Sequence, residues 1–168
     1  MIQAGDLLLV SGAGGISKAI EVFSDSPYSH AAIVLPAWDD QLLVLQAWTF
    51  GIEIVPLSRA LSQFSGPVDV FRAKAPLDLA AFRRAALAFV GRPYDYFGIL
   101  RLALAILFGF RKTAQDRRTC KLFCSEYAQK VYRAGGVELT DIPDQMVEPG
   151  DLARSRVVKY VGTLGIDA

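Results

Sequence analysis

A change of period partway along the chain limits its fold more than any other feature. Up to about position 73, short apolar runs are cut by turn residues, and from position 78 onward apolar residues recur at helical spacing. Residues 6–11 read as a buried strand that stops at Gly12, Gly14 and Gly15, with a short helix expected over 16–23. Ser24, Asp25, Ser26 and Pro27 form a turn, and residues 29–35 then make a strand bounded by Pro36, with His30 at its start. Residues 42–48 and 51–55 read as two strands joined by a tight turn, and 68–72 as another after Gly66 and Pro67. Asp78 then suits the N-cap of a helix with Leu79, Phe82, Ala86, Phe89 and Val90 on its buried side, ending at Gly91. A last helix spans 123–134 and stops at Gly135 and Gly136. Neither a repeat nor a low-complexity linker interrupts 1–168, so the economical reading is one α+β domain.

Composition narrows the function. At 168 residues, with 52% hydrophobic and 21% charged side chains, the chain can bury a core, and a net charge of +1 gives no general electrostatic hold on nucleic acid. Two cysteines do not make a disulfide scaffold, and one histidine leaves few soft ligands, so no metal or other cofactor is expected. The start lacks a basic segment before its short apolar run, which points by default to the cytoplasm. The most apolar stretch, 97–110, would reach roughly 21 Å as a helix against a hydrocarbon core of about 30 Å, too short to span a bilayer. The glycines at 12, 14 and 15 suggest a dinucleotide loop, but Ser17 stands where the third glycine belongs and no parallel crossover follows. A plain strand-to-helix turn is the better reading.

Chemistry concentrates at two positions. On the last helix, Cys124, Tyr127, Ala128, Val131 and Tyr132 form one stripe, so Cys124 faces inward, either as a small buried hydrophobe or as a nucleophile. Its place in the first helical turn favours an anion and would lower the thiol below its usual value of about 8.5. The base such a sulfur needs can only be His30, because the chain has no other imidazole. A helix-borne cysteine meeting a strand-borne histidine across a sheet–helix seam is the arrangement of cysteine hydrolases.

The residues carry a resemblance as well. Gly5-Asp6-Leu7-Leu8-Leu9, Tyr28-Ser29-His30-Ala31-Ala32-Ile33-Val34, Gly91-Arg92-Pro93-Tyr94-Asp95-Tyr96, Phe123-Cys124-Ser125-Glu126-Tyr127 and Pro149-Gly150-Asp151-Leu152 stand in one order over nearly the whole chain. In that order they resemble the circularly permuted papain-like hydrolases of the NlpC/P60 superfamily, in the YiiX/YebB-like branch. The resemblance implies a papain-like α+β fold of permuted topology, with an antiparallel β-sheet or barrel packed on helices. It also implies Cys124 as nucleophile and His30 as base, and the position that orients the imidazole falls on Gln46. A glutamate is the more familiar occupant there. Gln46 can accept from a ring N–H but carries no charge. Asp95 and Asp25 are reserve orienters, Tyr28 and Tyr94 candidates to flank a substrate, and Cys120 is read as structural. The expected reaction is hydrolysis of a peptide or N-acyl amide through a thioester, with a lipid acyltransferase or a catalytically silent lipid- or peptide-binding module as alternatives. The expected ligand is a small molecule, a peptide or a lipid-like substrate. The basic flank of 97–118 allows peripheral membrane contact.

Overall fold

In the computed structural model, the structure describes residues 2–14, 17–18, 21, 25–39, 41–48, 51–92 and 123–165. Its strands are β1 (Asp6–Val10), β2 (His30–Trp38), β3 (Gln41–Trp48), β4 (Gly51–Pro56), β5 (Val68–Ala73) and β6 (Val158–Leu164). The helices are α1 (Leu57–Gln63), α2 (Leu79–Leu87), α3 (Phe123–Ala134) and the short α4 (Pro149–Ala153), with a 3₁₀ turn at Asp144–Met146.

The strands form one antiparallel sheet in the order β4-β3-β2-β1-β5-β6. It is open, with β4 and β6 at its edges, so the barrel alternative is corrected to a sheet. The absence of parallel neighbours among these strands removes the crossover that a dinucleotide loop needs. A Cβ on Gly12 would come within 2.2 Å of the Ser17 hydroxyl, so the glycine serves close packing at that turn.

Side chains alternate across the central strands and feed two cores. Leu7, Leu9, Ala31, Ile33 and Leu45 point to the face covered by α2 and α3, where they meet Phe82, Tyr127, Val131 and Tyr132. Leu8, Val10, Ala32, Val34 and Val44 point to the other face, where Ala60 and Phe64 of the α1 region close over them. A sheet buried on both faces explains why its central strands read as continuous apolar runs rather than as alternating ones.

The expected strands and the helices expected after Asp78 and over 123–134 are present, with shifts at their ends. β2 runs through Pro36, the residue expected to bound it, and its register with β3 shifts between Leu35 and Trp38; an irregularity there tolerates a residue with no N–H to donate. Asp78 caps α2 by accepting from the backbone N–H groups of Ala80 and Ala81. Val90 lies beyond the end of α2 and is 45% exposed, and Leu79, in its first turn, is 38% exposed; neither belongs to the buried side. Among the described residues, no helix is long and apolar enough to cross a membrane. The expected 97–110 segment lies outside the described residues, as does most of the expected 16–23 helix.

Candidate active site

Helix α3 fixes the nucleophile candidate through hydrogen bonds at its buried stripe. The Tyr127 hydroxyl donates to the Ala31 carbonyl at 2.7 Å and reaches the Leu45 carbonyl at 3.3 Å, which pins the helix to β2 and β3. Further along, Tyr132 donates to the Gly5 carbonyl at 2.6 Å, and Ser125 donates to the Val147 carbonyl at 2.8 Å. Cys124 shares the face of Tyr127 and Ala128, and its sulfur interacts with the backbone of Ala31, the residue beside His30. The sulfur thus meets the β2 backbone from the α2–α3 face, whereas the His30 side chain, in phase with Ala32 and Val34, lies on the α1 face, and sulfur and imidazole are not in contact.

The thiol does not behave as its helix position predicts. Cys124 is fully buried, and burial pushes the thiol up to about 11; the backbone of Ala31 and Ser125 and the Ser125 hydroxyl pull it down, but by less. This corrects the expectation of a lowered value, because the helix-start effect is weaker than loss of solvent around a negative sulfur. His30 shifts the other way for the same reason: burial lowers its imidazole to about 4. Solvent reaches part of the residue, but Nε2 is buried and has no hydrogen-bond partner. At neutral pH the site holds a thiol and a neutral imidazole.

His30 is walled by aromatic rings. Its ring centroid lies 6.3 Å from Trp48 and 5.8 Å from Phe64, and those two rings lie 6.4 Å apart. Trp48 comes from β3, and Phe64 follows α1. Ala32 pairs with Gln46 across β2 and β3, so His30, two residues before Ala32, is the diagonal neighbour of Gln46 on one face. Gln46 is fully buried, and its Nε2 donates to Glu53 at 2.9 Å and to Gln63 at 2.6 Å. Its Oε1 is buried with no hydrogen-bond partner. A buried acceptor on Gln46 and a buried ring nitrogen on His30 thus face the same side of adjacent strands, both unsatisfied. Each such group costs about 1–3 kcal/mol when left alone, and a bond between them would remove both costs.

The other candidates are placed as follows. The Tyr28 hydroxyl donates to Asp69 at 2.6 Å and its ring meets Phe71 edge-on at 6.2 Å; burial, then the Asp69 bond, raise its hydroxyl well above the usual range. Asp25 stands exposed in its turn at φ 48°. Tyr94, Asp95 and Cys120 lie outside the described residues. The sequence reading missed Trp48, Phe64, Glu53, Gln63 and Tyr127 as parts of the site. Glu53 was within reach, since the tight turn after Trp48 already implies a register that sets it opposite Gln46. Two surface hollows, one lined by Gly5, Arg72 and Lys74 and another by Glu138, Asp141 and Arg154, lie apart from these residues.

Comparison with known proteins agrees with this fold. The crystal structure of the metalloprotein YiiX from Escherichia coli O157:H7 superposes with a TM-score of 0.69 at 19% identity, over 95% of this chain and 96% of that one. That likeness supports the fold. The described residues here contain no group of three or more histidine, cysteine, aspartate or glutamate side chains that could hold a metal ion. Among curated proteins none matches. A family model for permuted papain-like amidases of the YaeF/YiiX type, the C92 family, matches residues 1–147. With a papain-like helix seated on its sheet and the family pattern running through most of its length, the chain belongs to the permuted papain-like amidases of the C92 family.

Proposed function

We propose that this enzyme hydrolyses an amide bond of a peptide or N-acyl amide, with Cys124 as nucleophile, His30 as base and Gln46 as the group that orients His30. The observation that supports the reading is the family match together with the seat of the Cys124 sulfur against the backbone of Ala31, next to His30 in the chain; because the imidazole shares the opposite face with Gln46, the reading requires His30 to turn around the start of β2 to reach the sulfur. When Gln46 Oε1 accepts from Nε2–H, Nδ1 is left as the basic nitrogen for the thiol. As sulfur attacks the carbonyl carbon, Nδ1 takes the thiol proton and a C–S bond forms. His30 returns that proton to the departing nitrogen as the C–N bond breaks, leaving a thioester. Water then attacks the thioester, losing its proton to His30, and the thiol is restored as the acid departs. The backbone N–H of Cys124 is the natural donor to the transient oxyanion. A resting thiol near 11 requires this concerted transfer, because little thiolate exists beforehand.

The test is hydrolysis of a panel of N-acyl aminocoumarins and short peptidyl aminocoumarins. Cys124→Ala and His30→Ala should each lower kcat/KM by at least about 1,000-fold. An activated ester should leave an acyl mass on Cys124 in acid-quenched protein. Full activity in either variant, or an acyl group elsewhere, overturns the reading. Acyl groups passed to an added alcohol or amine in preference to water would make the enzyme an acyltransferase instead.

A further inference from the structure

The departure at position 46, glutamine in place of a carboxylate, is accompanied by a carboxylate one strand away. Gln46 and Glu53 are directly opposed across β3 and β4, and the Gln46 amide donates to Glu53 Oε1 at 2.9 Å. A carboxylate only accepts, so this bond turns the NH₂ end of the Gln46 amide toward Glu53. Gln63 receives the second amide hydrogen at 2.6 Å. With both hydrogens committed, the end left over is Oε1, which is buried and unpaired on the face it shares with His30.

We propose that Glu53 is a positioning residue for His30, acting through Gln46: it locks the amide so that the imidazole is met by an oxygen rather than an NH₂ group, and lends its negative charge through that amide. The relay His30–Gln46–Glu53 thereby restores, from a neighbouring strand, part of what a carboxylate at position 46 would supply directly. A free glutamine would present either end to the ring, and its NH₂ end would favour the tautomer that leaves Nδ1 protonated and useless as a base. On the face of His30, Glu53 from β4 is the titratable group that reaches Gln46 and α1 offers the neutral Gln63, while Cys124 of α3 packs on the opposite face.

The proposal rests on the cysteine–histidine reading for its catalytic meaning, but its first readout does not depend on catalysis. His30 is the only histidine in the chain, so its two ring nitrogens give one resolvable pair of ¹⁵N signals. At pH 7 the wild-type ring should carry its proton on Nε2, and Glu53→Gln should shift the pattern to a mixture of tautomers while the thermal melt stays cooperative. Activity then supplies a change of sign. Glu53→Gln alone should lower kcat/KM about 10-fold. In a Gln46→Glu background two carboxylates face each other, and there Glu53→Gln should raise kcat/KM. An unchanged tautomer in Glu53→Gln, or the same direction of effect in both backgrounds, overturns the relay. Loss of activity in Cys124→Ala and His30→Ala with a silent Glu53→Gln would remove the relay and leave the hydrolase reading standing. The tautomer shift with a fully active Cys124→Ala would do the reverse.

Discussion

At the scale of the residue, Cys124 illustrates how burial decides the state of a nucleophile. The thiol is raised to about 11, so the anion is the disfavoured form throughout the neutral range. Iodoacetamide labelling of Cys124 in the folded protein, followed by mass spectrometry, should therefore climb with pH from about 8.5 to about 11. A rate already level by pH 7 would mean a preformed thiolate. Tyr127 governs where that sulfur sits, because its hydroxyl ties α3 to the carbonyls of Ala31 and Leu45. Tyr127→Phe keeps the ring and removes both bonds, which should lower stability in urea by about 1 kcal/mol and lower kcat more than it raises KM. An unchanged urea midpoint would show that the hydroxyl is not what seats the helix.

At the scale of the element, local chemistry carried most of the fold. The strand at 42–48 was legible from apolar and β-branched runs between turns, and α3 from its five-residue apolar stripe, which matches Phe123–Ala134 end to end. The Asp78 cap was legible from one residue, and Asp78→Ala should cost about 1 kcal/mol in denaturant melts, with Asp78→Ser recovering most of it. Elements without their own local signal were not read. α1 begins directly after β4 with Pro56 as its cap and no side-chain capping bond, so nothing marks its start. β6 has only Val158 fully inside and otherwise exposed or half-exposed residues, the pattern of an edge strand that its pairing with β5 creates. The pairing of distant segments, not propensity, made that strand.

At the scale of the whole molecule, the site follows from how two faces of one sheet are covered. The sequence marked Cys124 and His30 as a helix-start thiol and a lone imidazole, whereas Gln46 came only from the family resemblance. It could not name Trp48 and Phe64, whose task exists only once α1 folds over the second face and encloses the imidazole. That enclosure also makes the molecule sensitive to pH from both sides. His30 titrates near 4 when folded and at about 6.5 when unfolded, so between those values the unfolded chain binds more protons and stability falls as the solution is acidified. The loss should approach about 3 kcal/mol by pH 4, on top of the carboxylate contribution common to most proteins. Cys124 acts at the other end: the unfolded thiol ionises near 9 and the folded one near 11, so stability is full below 9 and declines above it. Urea midpoints measured from pH 4 to 11 should therefore show a plateau between about 6.5 and 9. His30→Phe should flatten the acid limb, and Cys124→Ala should remove the part of the alkaline limb that begins near pH 9, leaving the part above about 10 to the raised hydroxyls of Tyr28 and Tyr132. An acid limb unaltered in His30→Phe would mean that the imidazole reaches solvent freely, and the enclosed geometry that supports its role as a base would be lost.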